Sequence, residues 1–342
     1  MNWRIVVAGC GQMSQKWVEY ALQRQNVEIV GLVDVNPEAS LHLAETYHLK
    51  CGLYSDLREA IRRGGANIVM DVSIPAARRS VTGTALEAGC HVFSEKPMAA
   101  TMREAVELMN LSKMTKKTYA IMQNRRYDKN IRGALQLLQT GVIGQMGMIN
   151  ADFFLGPRFG GFREQMASPL ILDMAIHTFD QARLLTGATP KTVTCQEWNP
   201  DGSWYNGSAN AVAIFEMDNG VRFSYRGSWC AQGFPTAWES SWRLIGSHGT
   251  LLWDGADHIE AEYMDARNGS IQRRSGSAQP MVNEGHWGCL DEMFDALEEG
   301  RKPETDSSNN IYSTAMVFAA IQSSRIGQSV DIARLLREEG VQ

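Results

Sequence analysis

Asp173, His177 and Asp180 stand four and three residues apart in the run Asp173-Met-Ala-Ile-His177-Thr-Phe-Asp180. On a helix that spacing puts all three on one face. The helical pattern spans 171–185, and Gly187 follows its end. An imidazole, with a pKa of about 6.5, exchanges protons near neutral pH. A carboxylate one turn away can orient it. Two plainer readings compete: a salt-bridge stripe, or a core histidine satisfied by Asp173. Metal ligation is a further alternative, since both residue types are ligands, but no supporting ligands stand elsewhere in the chain. Lys96 is the other candidate. It follows an apolar strand at 90–94 and precedes Pro97, which restricts the backbone of its neighbour. Most lysines are solvated surface groups; this one falls on the edge where the sequence also places a nucleotide.

The nucleotide edge begins at 4–14, Arg-Ile-Val-Val-Ala-Gly-Cys-Gly-Gln-Met-Ser. The apolar run 5–8 reads as a strand buried on both faces. Gly9 permits a tight turn, Gly11 lets the backbone approach a pyrophosphate, and Ser14 takes the third small-residue position. Gln12 and Met13 complete the turn. The helix that follows aims its N-terminal amides at phosphate. A second strand, 28–33, ends in Asp34, twenty-three residues after Gly11. A carboxylate there accepts hydrogen bonds from a ribose 2′-OH and repels a 2′-phosphate, which favours NAD over NADP.

These residues need a frame. Strands at 28–33, 67–74, 90–94 and 119–123 alternate with helices at 14–25, 37–47, 53–62, 77–88 and 101–113. Such alternation predicts a doubly wound parallel sheet of the Rossmann type over 1–123, with ligands off the carboxyl ends of its strands. Ser73, Pro75, Glu95, Lys96 and Asn124 fall at such ends and are expected beside the cofactor. From 124 the pattern changes. A helix at 130–138 precedes strands at 146–154, 192–198, 209–217, 221–229, 242–245, 250–254 and 259–263. Helices at 284–299 and 309–327 close the chain, and 268–280 reads as a mobile loop. The second domain, 124–342, is therefore expected to be α/β with an open, largely antiparallel sheet.

Composition narrows the class. The chain has 342 residues and a net charge of −5, which gives no reason to expect nucleic acid or an anionic membrane as partner. No apolar run is long enough to span a bilayer. The six cysteines are scattered, with no Cys-x-x-Cys pair; they predict neither a disulfide framework nor a zinc site. With the first strand starting at the N-terminus and leaving no room for a signal peptide, a cytoplasmic protein is expected.

Gly9-x-Gly11-x-x-Ser14, Asp34, Glu95-Lys96-Pro97 and Asp173-x-x-x-His177 together resemble the Gfo/Idh/MocA oxidoreductases, which include inositol and sugar dehydrogenases. The resemblance implies a Rossmann domain followed by an α/β domain whose open sheet commonly forms homodimers or homotetramers. It implies catalytic roles for Lys96, Asp173 and His177. It implies substrate contacts from these three, from Arg125 and Arg126 in the Asn124–Tyr127 stretch, and from Asp180, at a position where some inositol dehydrogenases use a carboxylate. Two features depart from the family pattern: Ser14 replaces the third glycine, and Arg78 and Arg79 stand where a histidine is common.

The reaction implied is oxidation of a secondary alcohol of a sugar, sugar derivative or inositol. It needs a base for the hydroxyl proton, assigned to His177, and a cation for the developing charge on oxygen, assigned to Lys96. Both side chains are expected around one carbinol, with Asp173 orienting the imidazole or sharing a network with Lys96. Arg158, Phe159 and Arg163 lie in a Gly-rich loop that reads either as a lid or as plain surface. The 229–236 loop and His286-Trp287 are further candidates for the pocket. Trp198, Trp204, Tyr205, Trp238 and Trp242 can stack on a sugar or pack a sheet. Two other activities fit the same scaffold: a glycosidase using transient oxidation by NAD, and a non-catalytic nucleotide or sugar sensor. Retention of Lys96, Asp173 and His177 disfavours the sensor.

Overall fold

Ile5, Val6 and Val7 have no solvent exposure, because the strand that carries them is flanked on both edges. In the computed structural model, which describes residues 2–341, β1 (Trp3–Ala8) pairs in parallel with β2 (Val27–Val33) and with β4 (Ile68–Asp71). β3 (Gly52–Tyr54) lies beyond β2, and β5 (His91–Ser94) and β6 (Tyr119–Ile121) lie beyond β4. The order β3-β2-β1-β4-β5-β6 reverses direction at β1, the switch point where open α/β sheets bind ligands.

Three of the five connecting helices start where a short polar side chain accepts from a first-turn amide. α1 (Ser14–Gln23) follows the glycine turn directly. α2 (Pro37–Thr46) is capped by Asn36, whose side chain accepts from the Glu38 amide. α3 (Leu57–Gly64) is capped by Asp56 and α4 (Pro75–Glu87) begins on a proline. α5 (Met102–Thr115) opens with the reciprocal Thr101–Glu104 box, which satisfies two orphan donors at once. Two expectations change. The helix expected over 53–62 is β3 followed by α3, because the Asp56 cap starts the helix after it and a three-residue edge strand carries no legible period. Pro75 opens α4 rather than closing a strand.

The chain divides into two compact units, 1–124 with 283–311, and 125–282 with 312–341 among the described residues. The segment 283–311 thus leaves the second domain, where the sequence reading put it. Within the first unit, α8 (Gly285–Glu299, the eighth helix in chain order) buries Phe294 against Trp3, Tyr20 and Phe93, with ring centroids 5.1–6.3 Å apart. Tyr20 Oη donates to Asp291 at 2.8 Å. The Tyr20–Asp291 bond joins residues 271 positions apart, a separation that no local pattern encodes.

The second unit is built on nine strands: β7 (Met146–Phe154), β8 (Pro190–Trp198), β9 (Asn210–Met217), β10 (Arg222–Ser228), β11 (Ser241–Gly246), β12 (Gly249–Trp253), β13 (Ile259–Met264), β14 (Ile271–Ser275) and β15 (Val330–Asp331). Their order is β14-β13-β12-β11-β7-β10-β9-β8-β15, antiparallel throughout except for the parallel β7–β10 pair. Gly220, at φ +86°, turns β9 into β10. β14 occupies part of the stretch expected to be a mobile loop; its residues are all exposed, so it shows no alternation, and Arg273 pairs with Glu262 of β13. β15 and the short α10 (Ile332–Glu338) were not legible either. α6 (Lys129–Gln139), α7 (Ile176–Thr186) and α9 (Ser307–Ile326) complete the helices. On the buried face of the sheet, Phe179 of α7 meets Phe215, Tyr225 and Phe223 edge-on at 4.8, 5.2 and 6.0 Å. Among the described residues, no helix is long and apolar enough to cross a membrane, and all six cysteines are free.

Phe179 is the one aromatic that fastens α7 to three strand side chains. Phe179→Ala is expected to cost about 3–5 kcal/mol, measured as a fall in the urea midpoint at unchanged m-value.

Candidate functional site

Gly9 and Gly11 do different work. A Cβ on Gly9, at φ +91°, would lie 2.7 Å from the Val72 carbonyl carbon and the Ser73 amide. The turn therefore presses against the segment after β4. A Cβ on Gly11 would meet nothing within 4 Å, so open space lies over its backbone. Ser14, fully buried, donates its hydroxyl to the Gly11 carbonyl at 2.6 Å and ties the turn to α1. Met13 is partly exposed at the head of the helix and Gln12 is exposed before it. Asp34 stands at the end of β2, where one oxygen accepts from the Cys10 amide at 2.7 Å and the other from the Asn36 amide at 2.8 Å. Each oxygen keeps a lone pair for a further donor. This set fits a dinucleotide: an open glycine turn at a helix N-terminus, with an anchored carboxylate one strand away. One further residue of the edge, Val35, was not expected from sequence, while Ile74 lies in the Ser73–Pro75 stretch expected there. Val35 is 94% exposed and Ile74 is 65% exposed, apolar groups with no core to serve and suited to a flat base. Their signal was only position, directly after β2 and β4.

The ends of β4 and β5 are held by buried charge. Asp71 accepts from Ser73 N, Ser73 Oγ and Thr82 Oγ1. Arg78, almost without exposure, donates to the Ser73 carbonyl at 2.5 Å and to the Pro97 carbonyl. One guanidinium thus fixes the loop carrying Ser73 and the loop carrying Lys96, whose bond to Pro97 is cis. Glu95 accepts from Trp17 Nε1 at 3.0 Å and pairs with His286 Nε2 at 3.5 Å. Burial by itself would raise its carboxyl, but His286, Trp17 and the Lys96 charge outweigh burial and hold the pKa below the ordinary value. His286, a candidate pocket residue, thus serves Glu95, and Trp287 packs edge-on to Tyr20 at 6.1 Å. Asn124 ends this unit and opens a 3₁₀ turn, Asn124–Tyr127.

In the second unit the helix carrying the acid–base candidates is not uniform. Leu170–Ala175 is a π-helical turn, and α7 continues from Ile176. The wider turn adds a residue, so the regular α spacing between Asp173 and Asp180 does not hold, and the two carboxylates pair with different arginines. Asp173 accepts from Arg163 Nε at 2.8 Å. Asp180, buried, accepts from Arg126 Nε at 2.5 Å, Arg126 Nη2 at 2.8 Å and Ser313 Oγ at 2.6 Å. Arg183 stands 3.9 Å away, its pKa lowered to about 10 by burial and by the Arg126 charge, against the pull of Asp180. Arg126 and Asp180, expected at the substrate, are committed to a buried ion pair. His177 is buried one turn before Asp180.

Arg125 differs from Arg126. It donates to the Trp238 carbonyl, pairs with Glu239 at 3.5 Å and carries a guanidinium lowered by burial. Glu239 also accepts from Gln181 of α7 at 2.6 Å; burial raises its carboxyl although Arg125 opposes the shift. Of the aromatic candidates, Trp242 and Tyr205 are core residues, Trp242 stacking on Phe223 and Trp253. Trp204 lies under Arg158, whose guanidinium is 4.1 Å from its ring. Trp198 and Trp238 are exposed. Among the described residues no group of three His, Cys, Asp or Glu is arranged to hold a metal ion.

Residues 3–123 match the GFO/IDH/MocA family model, described as an oxidoreductase family with an NAD-binding Rossmann fold, and residues 131–252 match a C-terminal domain model of the same family. An uncharacterised protein of Sinorhizobium fredii, y4oX, is 26% identical over 355 residues, covering 98% of each chain. An inositol 2-dehydrogenase/D-chiro-inositol 3-dehydrogenase of Lacticaseibacillus casei is 27% identical over 185 residues, 53% of this chain and 52% of that one. Among solved structures, an oxidoreductase from Agrobacterium radiobacter in complex with NAD+, L-tartaric acid and magnesium superposes with a TM-score of 0.87 at 19% identity, over 98% of this chain and all of that one. At that identity the likeness establishes the fold.

The Arg126–Asp180 geometry separates a structural from a binding role. Asp180→Ala leaves two buried guanidiniums beside one another and is expected to cost about 3–5 kcal/mol of stability in chemical denaturation. A substrate ligand would instead leave stability intact and raise KM alone.

Proposed function

This chain belongs to the GFO/IDH/MocA oxidoreductase family, and on that premise we propose that it moves hydride between a secondary alcohol of a sugar, sugar derivative or inositol and a nicotinamide dinucleotide. The observation that carries the reading is the position of Lys96. It directly follows Glu95 at the end of β5, on the sheet edge that holds Gly9 and Asp34, and Arg78 fixes the carbonyl of the next residue. An ammonium is thereby kept at the nucleotide edge.

When bound, the nicotinamide supplies the hydride-accepting carbon. The protein supplies the rest. His177 takes the hydroxyl proton in oxidation and returns it in reduction. Lys96 stabilises the oxygen as negative charge grows on it. Asp173, paired with Arg163 at 2.8 Å, orients the His177 imidazole. Arg125 contacts substrate hydroxyls, while Arg126 and Asp180 brace the helix from behind. NAD is the preferred cofactor, since the Asp34 carboxylate is held at the end of β2 by two amides and disfavours a 2′-phosphate. A homodimer or homotetramer forms through the outer face of the nine-stranded sheet, where Val212, Ile214, Ile245 and Leu252 are exposed.

Two variants test this reading. His177→Ala should bind NADH as the wild type does, by fluorescence titration, and lose at least about a hundredfold in kcat; normal turnover would refute the assignment. Asp34→Ala should raise KM for NAD about tenfold and narrow the NAD-to-NADP ratio of kcat/KM by more, measured by NADH and NADPH absorbance on the same substrate.

A further inference from the structure

Phe159 and Trp238 are large aromatic side chains left in solvent, 56% and 44% exposed. They come from different segments of the second unit, one after β7 and one before β11, yet their ring centroids lie 6.3 Å apart with planes inclined by 32°. A third ring backs both. Trp229 is fully buried, stacks on Phe153 at 5.5 Å, and stands 6.2 Å from Phe159 and 5.9 Å from Trp238. Exposed aromatics supported from behind form a built apolar surface, and such surfaces mark binding sites.

Each exposed ring is linked to the acid–base helix through charged side chains. Arg163 bonds Asp173 at 2.8 Å and holds its guanidinium 5.7 Å from the Phe159 ring. Arg125 pairs with Glu239 and sits 6.0 Å from the Trp238 ring. The segment after Trp238 is locked to α7 twice, by Gln181 to Glu239 at 2.6 Å and by the Thr178–Ser240 hydroxyl pair at 3.1 Å. Thr178 is the residue after His177. The apolar surface is thus rimmed by two arginines and registered on the helix that carries His177.

From this arrangement we infer that Phe159 and Trp238 form the face on which a cyclic sugar or cyclitol lies, and that they set the preference for ring substrates over open-chain polyols. The proposal rests on the hydride-transfer reading given above. A six-membered polyol ring presents a face of C–H bonds and a rim of hydroxyls. The C–H groups carry positive partial charge and meet the negative face of an aromatic ring. The hydroxyls reach the arginine rim, where rigid, preformed donors suit them. An open-chain polyol has no comparable C–H face and must freeze several torsions to bind, so it gains less from the same surface.

The test uses the full-length chain with saturating NAD and compares myo-inositol and methyl α-D-glucopyranoside with D-glucitol. Phe159→Ala and Trp238→Ala should each raise KM for a cyclic substrate about tenfold, with kcat changed by less than about twofold. The rise for D-glucitol should be smaller by at least about threefold. Trp238→Phe, which keeps a ring and spares the fold, should hold the cyclic KM within about threefold of wild type. An unchanged cyclic KM in the alanine variants, or equal rises for both classes, overturns the proposal. If the wild type oxidises neither class, the hydride-transfer reading fails by itself. The aromatic surface is then decided by tryptophan fluorescence: saturable quenching by methyl α-D-glucopyranoside that is lost in Trp238→Ala supports it, and no saturable quenching sinks it.

Discussion

The close approach at Gly9 is the constraint on which the nucleotide edge depends. With the backbone of Val72 and Ser73 within 3 Å of where a side chain would begin, the turn after β1 can take its place only without one. That contact brings the ends of β1 and β4 together at the switch point. It leaves open space over Gly11 and lets the Cys10 amide reach the Asp34 carboxylate. Sterics at one residue therefore decide where phosphate and ribose can go.

Within each unit the protein uses buried charge to hold segments in place rather than to gain stability. Arg78 is the clearest instance. Its guanidinium satisfies two carbonyls that no sheet partner could reach. A buried ion costs desolvation free energy, which only good hydrogen bonding offsets. What it supplies is fixed geometry, joining the Ser73 loop to the Lys96 loop. Glu95 works in the same way through Trp17 and His286, and Asp180 through Arg126 and Ser313. Each of these charges is fixed by hydrogen bonds from the protein itself.

In the second unit the helix that carries the acid–base candidates is interrupted. A π turn at Leu170–Ala175 rotates Asp173 away from the α7 register and toward Arg163. The insertion carries no signal in residue type, since Leu-Ile-Leu-Asp-Met-Ala would suit an ordinary helix. Behind it, Phe179 and the strand aromatics keep α7 fixed on the sheet, while Gln181 and Thr178 tie it to the segment that presents Trp238. Packing on the sheet thereby fixes where the polar side chains of α7 stand.

Local pattern determined much of this protein. The alternation of apolar runs and capped helices specified a parallel sheet before residue 123, and the period-two strands with the Asp218-Asn219-Gly220 turn specified an antiparallel one after it. The placement of Gly9, Gly11, Asp34 and Lys96 after the carboxyl ends of β1, β2 and β5 was legible because strand ends in a doubly wound sheet lie on one edge by rule. Tertiary structure alone decided the rest. Phe294 returns to Trp3 and Tyr20 across most of the chain, Asp180 is held by Arg126, and Phe159 meets Trp238 beyond the paired ends of β7 and β11. The physical reason is common to all three: periodicity reports which side of its own element a residue occupies. It carries nothing about which distant side chain will fill the space opposite, since that depends on how the elements pack.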